Sequence, residues 1–126
     1  MTNAFTILVV DNEVELVDIL RAELSDAGYT VLTAYNGIDA LNIIASQSLD
    51  LILLDLNMPG VDGFQVLEVS KASKPEVKVV VLTGYGDLAT AIRCKKLGAD
   101  HFLSKPYYIA ELMPELERAL VPVVRS

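Results

Sequence analysis

Several side chains in this sequence could do chemistry together, and each comes just after a short apolar run. Asp55 follows Leu51-Ile52-Leu53-Leu54, and Asp11, Asn12 and Glu13 follow Phe5-Thr6-Ile7-Leu8-Val9-Val10. Thr83 and Gly84 follow Val79-Val80-Val81-Leu82, while Lys105 and Pro106 follow His101-Phe102-Leu103-Ser104. Carboxylates brought side by side repel unless a cation or a proton relieves them. A hard divalent ion such as Mg2+ does this with oxygen ligands, typically one or two carboxylates plus phosphate and water. Beside such an ion a strand-end aspartate can act as a nucleophile toward phosphorus. A lysine would offset charge on phosphoryl oxygens, and a threonine hydroxyl could hydrogen-bond to one of them. Taken singly, each residue has an ordinary explanation: Asp11 as a helix cap, Thr83 as structural, Lys105 as surface. Taken as a set at strand ends, they describe a site for a divalent cation and a phosphoryl group.

The elements that must position these residues alternate five times between apolar runs and amphipathic stretches. Phe5 to Val10 reads as a buried strand, and Glu13 to Ala27 as a helix with Leu16, Leu20 and Leu24 on one face and Gly28 as its stop. Tyr29 to Thr33 is a second strand. Asn36 caps a helix that runs to about Ala45, with Leu41, Ile44 and Ala45 facing inward. After the third strand, Leu51 to Leu54, a Pro-Gly loop leads to a helix from about Gly63 to Ala72. Val77 to Leu82 is the fourth strand, Asp87 caps the next helix and Gly98 stops it. A short fifth strand precedes Lys105, and a last helix carries Leu112, Leu116 and Leu120. If that helix begins near Ile109, Pro114 lies beyond its first turn and clashes with the carbonyl four residues earlier. The expectation is either a kink or a delayed start that leaves Pro114 in the first turn.

Strands separated by helices of this length imply right-handed βαβ units and a parallel sheet with helices on both faces. Five strands most economically give the doubly wound, flavodoxin-like order 2-1-3-4-5. In that order the first and third strands are neighbours at the switch point, so Asp11 and Asp55 lie side by side.

At 126 residues the chain is one domain, and an apolar share of 52% excludes disorder. Its longest apolar runs are strand length, too short to span a membrane. The start of the chain lacks the features of a signal peptide, and the single cysteine, Cys94, permits no internal disulfide; both suit a cytoplasmic protein. Cys94 itself reads as an inert helix residue. A net charge of −7 disfavours direct binding to nucleic acid. Residues 122–126 read as a tail or the start of a linker after a domain spanning 1–121.

As a set, Val9-Val10-Asp11-Asn12-Glu13, Leu54-Asp55-Leu56-Asn57-Met58-Pro59-Gly60, Leu82-Thr83-Gly84 and Leu103-Ser104-Lys105-Pro106 resemble the receiver (response-regulator) domain of two-component signalling, similar to the chemotaxis receiver. The resemblance runs from Ile7 to Leu120. It implies that Asp55 accepts a phosphoryl group from a phosphohistidine of a sensor histidine kinase or phosphotransfer protein. It also implies that Asp11, Asp55 and the backbone carbonyl of Asn57 bind Mg2+, and that Thr83 and Lys105 contact the phosphoryl group. Phe102 falls at the place of the family's switch aromatic, with a core residue as its plainer reading. The Lys105-Pro106 peptide is expected to be cis, helping to aim the lysine inward. The surface of the fourth helix, fifth strand and fifth helix is expected to meet a partner or a second copy of the chain. One departure stands out: the family's acid pair after the first strand is here Asp11-Asn12. An amide oxygen can ligate Mg2+ but brings no charge, and Glu13 is placed to compensate.

Three other functions compete. A haloacid-dehalogenase-type phosphatase also uses a strand-end aspartate, Mg2+, Thr and Lys, but needs a second aspartate two residues on, where this chain has Asn57. A nucleotide-binding module would need a G-x-G-x-x-G or Walker lysine motif, and neither is present. A degenerate receiver would signal without phosphate, with Asn12 as its supporting feature.

Overall fold

A computed structural model of the chain describes residues 5–58, 60, 62–84, 88–105 and 108–120. Five strands, β1 (Thr6–Val10), β2 (Thr30–Ala34), β3 (Leu51–Asp55), β4 (Lys78–Thr83) and β5 (His101–Ser104), form one parallel sheet in the order β2-β1-β3-β4-β5. Helices α1 (Val14–Asp26), α2 (Gly37–Ser46), α3 (Gly63–Ser73), α4 (Leu88–Lys96) and α5 (Ile109–Leu120) alternate with them. Successive strand residues point to opposite faces, so the continuous apolar runs feed two cores. Ile7, Val9, Leu51, Leu53, Val80 and Leu82 pack with Val17, Leu20 and Leu24 of α1 and Leu112 and Leu116 of α5. Leu8, Val10, Ile52, Leu54, Val79 and Val81 pack with Ala40, Ile44, Val66, Leu67 and Cys94 of α2, α3 and α4. The buried setting of Cys94 pushes its thiol pKa up, as befits a core residue without thiolate chemistry.

Helix ends set the strand registers. Gly28 has φ of 99°, its N–H reaches the Ser25 carbonyl, and Tyr29 N–H closes back on the Leu24 carbonyl. Tyr29 therefore spends its donor on α1, and β2 begins one residue later than its sequence suggested, at Thr30, whose N–H bonds Phe5 O. Gly98, with φ of 102°, repeats the motif at the end of α4, where Ala99 N–H meets the Cys94 carbonyl. Likewise β4 runs from Lys78 to Thr83 rather than from Val77 to Leu82. The proposed cap Asp87 lies outside the described residues.

The delayed start expected for the last helix is not what forms. α5 begins at Ile109 and continues through Pro114. Glu111 Oε1 accepts the Tyr108 N–H at 2.9 Å, the half of a capping box that an N3 glutamate supplies, and it anchors the first turn. Pro114 lacks an N–H, so the Ala110 carbonyl loses its usual helical partner.

Two aspartates invisible to pattern reading hold the opposite edge of the sheet. Asp50 Oδ2 accepts Thr6 N–H at 2.7 Å, and Asp100 Oδ2 accepts Val79 N–H at 2.9 Å. Asp100 also pairs with Lys71 at 2.8 Å, while Lys71 Nζ donates to the Val77 carbonyl at 2.7 Å. Asp100→Ala should therefore cost about 1–3 kcal/mol in urea unfolding and speed amide exchange at Val79. An unchanged midpoint would mean that water serves these donors equally well.

Candidate functional site

The parallel pairing of β1 with β3 and of β3 with β4 brings the loops after these strands to one rim. Val10 pairs with Leu54, so Asp11 and Asp55 emerge side by side. Both are buried, at 0% and 2% exposure, and Thr83 at the end of β4 is buried as well. The two acids use their oxygens alike. Asp11 Oδ1 accepts Glu13 N–H at 2.9 Å, and Asp55 Oδ1 accepts Asn57 N–H at 3.1 Å. Each Oδ2 turns to Lys105, whose Nζ lies 2.9 Å from Asp11 and 3.5 Å from Asp55. Lys105 is placed for this by its backbone N–H, which donates to the Thr83 carbonyl at 2.7 Å and extends the β4–β5 pairing by one bond.

The electrostatics follow from burial. Desolvation raises the Asp55 carboxyl above its usual range, and the neighbouring Asp11 adds to the rise; the Asn57 N–H and Lys105 oppose it. Burial alone would lower the Lys105 ammonium, but the Asp11 bond and the charges of Asp11, Asp55 and Glu13 outweigh it and hold the pKa above its ordinary value. This rim thus favours positive charge.

Glu13 joins the same ammonium, with Oε1 at 3.4 Å, although its side chain is 63% exposed. Asn12 and Asn57 are exposed on the rim. Phe102 is half-buried and pairs with Val81, which puts it on the same sheet face as Thr83. It lines a cleft of about 290 Å³ between α4 and β5, beside Ala91, Cys94 and Lys95. Its two readings, core residue and switch aromatic, are compatible with this half-buried position. The Lys105-Pro106 peptide lies outside the described residues, as do Tyr85, Gly86 and the tail.

The residues present suit a hard divalent cation. The donors are oxygens, and the buried carboxyl pair is short of positive charge. Among the described residues no three His, Cys, Asp or Glu side chains gather as a ready metal cluster. A cation here would draw on these two buried carboxylates, with neutral oxygens close by in the Asn12 amide, one residue after Asp11, and the Asn57 backbone carbonyl, two residues after Asp55.

Sequence reasoning missed Gly63, which packs against the backbone of Asp55 and Leu56. A methyl group there would lie 2.5 Å from Leu56 Cα and 2.9 Å from the Asp55 carbonyl oxygen. Its signal was a glycine immediately after a helix cap, since Asp62 Oδ1 accepts Gln65 N–H at 2.8 Å.

The chain is thus a doubly wound parallel α/β domain with an acid pair, a hydroxyl and a lysine at its rim. The model of the response regulator receiver domain matches residues 7–117, and the chain belongs to that family. Sporulation initiation phosphotransferase F of Bacillus subtilis (strain 168) is 33% identical over 114 residues, 90% of this chain and 92% of that protein. The transcriptional regulatory protein ZraR of Salmonella typhimurium is 39% identical over 114 residues, 90% of this chain, which spans 26% of that relative's length. The crystal structure of response regulator protein TrrA from Thermotoga maritima in complex with Mg2+-BeF superposes with a TM-score of 0.83 at 33% identity, covering 92% of this chain and 99% of that one. Domains of this family are signalling domains of two-component systems, with aspartyl phosphate and Mg2+ as general features. Among the described residues no helix is long and apolar enough to cross a membrane.

Proposed function

We propose that this chain stores a signal as an aspartyl phosphate on Asp55, received from a phosphohistidine of a sensor histidine kinase or phosphotransfer protein. The observation that carries this reading is the buried acid pair on adjacent strands, 0% and 2% exposed, sharing one lysine. Such a pair is unfavourable in itself and makes chemical sense where incoming positive charge relieves it. Asp55 attacks phosphorus in line, and a P–O bond forms as the donor's P–N bond breaks. Asp11, Asp55, the Asn12 amide oxygen and the Asn57 backbone carbonyl would hold Mg2+. Bound there, the ion would neutralise charge between the carboxylate and the phosphoryl oxygens. Lys105 and Thr83 meet the transferred group, and Lys105 exchanges part of its hold on Asp11 for phosphoryl oxygens.

The output is a population shift, because the phosphoryl group contacts Thr83 and Lys105 differently in the two conformations. Thr83 and Phe102 lie on one sheet face beside α4, so the α4–β5–α5 surface is the expected meeting place with a target or a second copy. The receiver unit is taken as residues 1–121 of a cytoplasmic protein, with DNA contact, where there is any, left to another segment or partner.

Acetyl phosphate with Mg2+ should add one acid-stable, alkali-labile phosphate. Beryllofluoride with Mg2+ should then shift amide resonances across residues 87–98 and 101–120. Absence of labelling would refute the acceptor role. Shifts confined to the loops around Asp55 would refute the output surface.

A further inference from the structure

Three carboxylates converge on the Lys105 ammonium: Asp11 at 2.9 Å, Glu13 at 3.4 Å and Asp55 at 3.5 Å. Two of them are buried, and the third stands at the open side of the site, 63% exposed. Glu13 occupies the N-cap position of α1, yet its side chain makes no capping bond. Its backbone is meanwhile pinned to the site through its N–H to Asp11 Oδ1 at 2.9 Å. A carboxylate with no duty to its own helix, on a fixed Cα, thus reaches over the buried pair. Its immediate neighbour Asn12 is a neutral amide. We propose that Glu13 supplies the divalent cation of this site with the anionic oxygen that Asn12 lacks, its carboxylate crossing from Lys105 to the shell of the ion.

This inference rests on the reading that the rim takes such an ion. Among the described residues these positions form no ready metal cluster, so Glu13 has to turn about its side-chain torsions. Its exposure lets it do so without disturbing the core. The competing explanation is that Glu13 only steadies Lys105, and any effect on the metal would then pass through the lysine.

Binding of Mn2+ alone, followed by loss of the free-ion electron paramagnetic resonance signal, separates the two without any reaction. Glu13→Gln should weaken Mn2+ binding about tenfold. Glu15→Gln, which removes an exposed acid from the first turn of the same helix, should change it less than about twofold, because screened surface charge acts weakly. Asn12→Asp should tighten binding in the native background and restore it in the Glu13→Gln background. The Glu13→Gln effect should persist when Lys105 is replaced by Met. The inference is overturned by unchanged binding in Glu13→Gln, by an equal loss in Glu15→Gln, or by an effect that vanishes in Lys105→Met. If the native protein binds no Mn2+ and takes no label from acetyl phosphate, the reading of the whole site fails with it. If it does both while Glu13→Gln matches it, Glu13 alone has been misassigned.

Discussion

Asp55→Asn should lose all phosphorylation by acetyl phosphate and, at neutral pH, melt at a higher temperature than the native protein. The first effect follows from removing the nucleophile, since an amide oxygen forms no stable phosphoryl ester here. The second follows from linkage. Desolvation, reinforced by Asp11, raises the Asp55 carboxyl in the folded state above its unfolded value. The folded chain therefore holds this proton more tightly than the unfolded chain. The contribution to stability is fully present below the unfolded carboxylate range and is lost as pH rises through the raised folded value. At neutral pH Asp55 is thus a charge the fold tolerates at a cost, and the neutral amide removes it while still accepting the Asn57 N–H. Lys105 keeps Asp11, its nearer partner. The gain should be a few degrees, the scale that about 1 kcal/mol produces in a domain of this size. Calorimetry over a pH series provides the check, and the difference between the two proteins should shrink as the solution is acidified. A variant that melts lower than the native protein at neutral pH would contradict the electrostatic account, and one that still takes phosphate would contradict the chemical one.

Gly63→Ala should destabilise the fold by about 2–4 kcal/mol, more than a glycine at the start of a helix would suggest. The added methyl would stand 2.5 Å from Leu56 Cα and 2.9 Å from the Asp55 carbonyl oxygen, and both are backbone atoms. Neither can rotate aside, so α3 or the end of β3 has to move. Because the end of β3 carries Asp55, labelling by acetyl phosphate should slow in the same variant. Gly60→Ala makes a clean comparison. Its methyl would meet nothing within 4 Å, and its φ of 83° leaves only backbone strain of about 1–2 kcal/mol. Urea unfolding of the two variants should rank Gly63→Ala as clearly the worse. Equal losses would mean that the close approach at Gly63 is relieved by a small shift.

Much of this molecule was legible in the order of its residues. The strands are continuous apolar runs, and Gly28 and Gly98 stop helices through a local left-handed turn. Asp11 follows its strand directly, Asp55 and Thr83 end theirs, and a parallel sheet in the order 2-1-3-4-5 carries them to one rim. These signals act over a few neighbouring residues, so a linear chain displays them. The start of β2 slipped by one residue because Tyr29 gives its N–H to α1. Of the two outcomes left open for α5, the start at Ile109 rather than a delayed one is what forms, because Glu111 anchors the first turn despite Pro114. Other features depend on distances through space. Asp50 and Asp100 look like loop acids until the folded sheet lays Thr6 and Val79 beside them. Gly63 looks like an ordinary helix start until Leu56 lies against it. Asn12 and Glu13 are adjacent in sequence, and only the fold shows that the second reaches the ammonium of Lys105, 92 positions away. Side-chain reach across a sheet rim is set by strand pairing and torsion angles together, so the tertiary structure decided which carboxylates share that lysine.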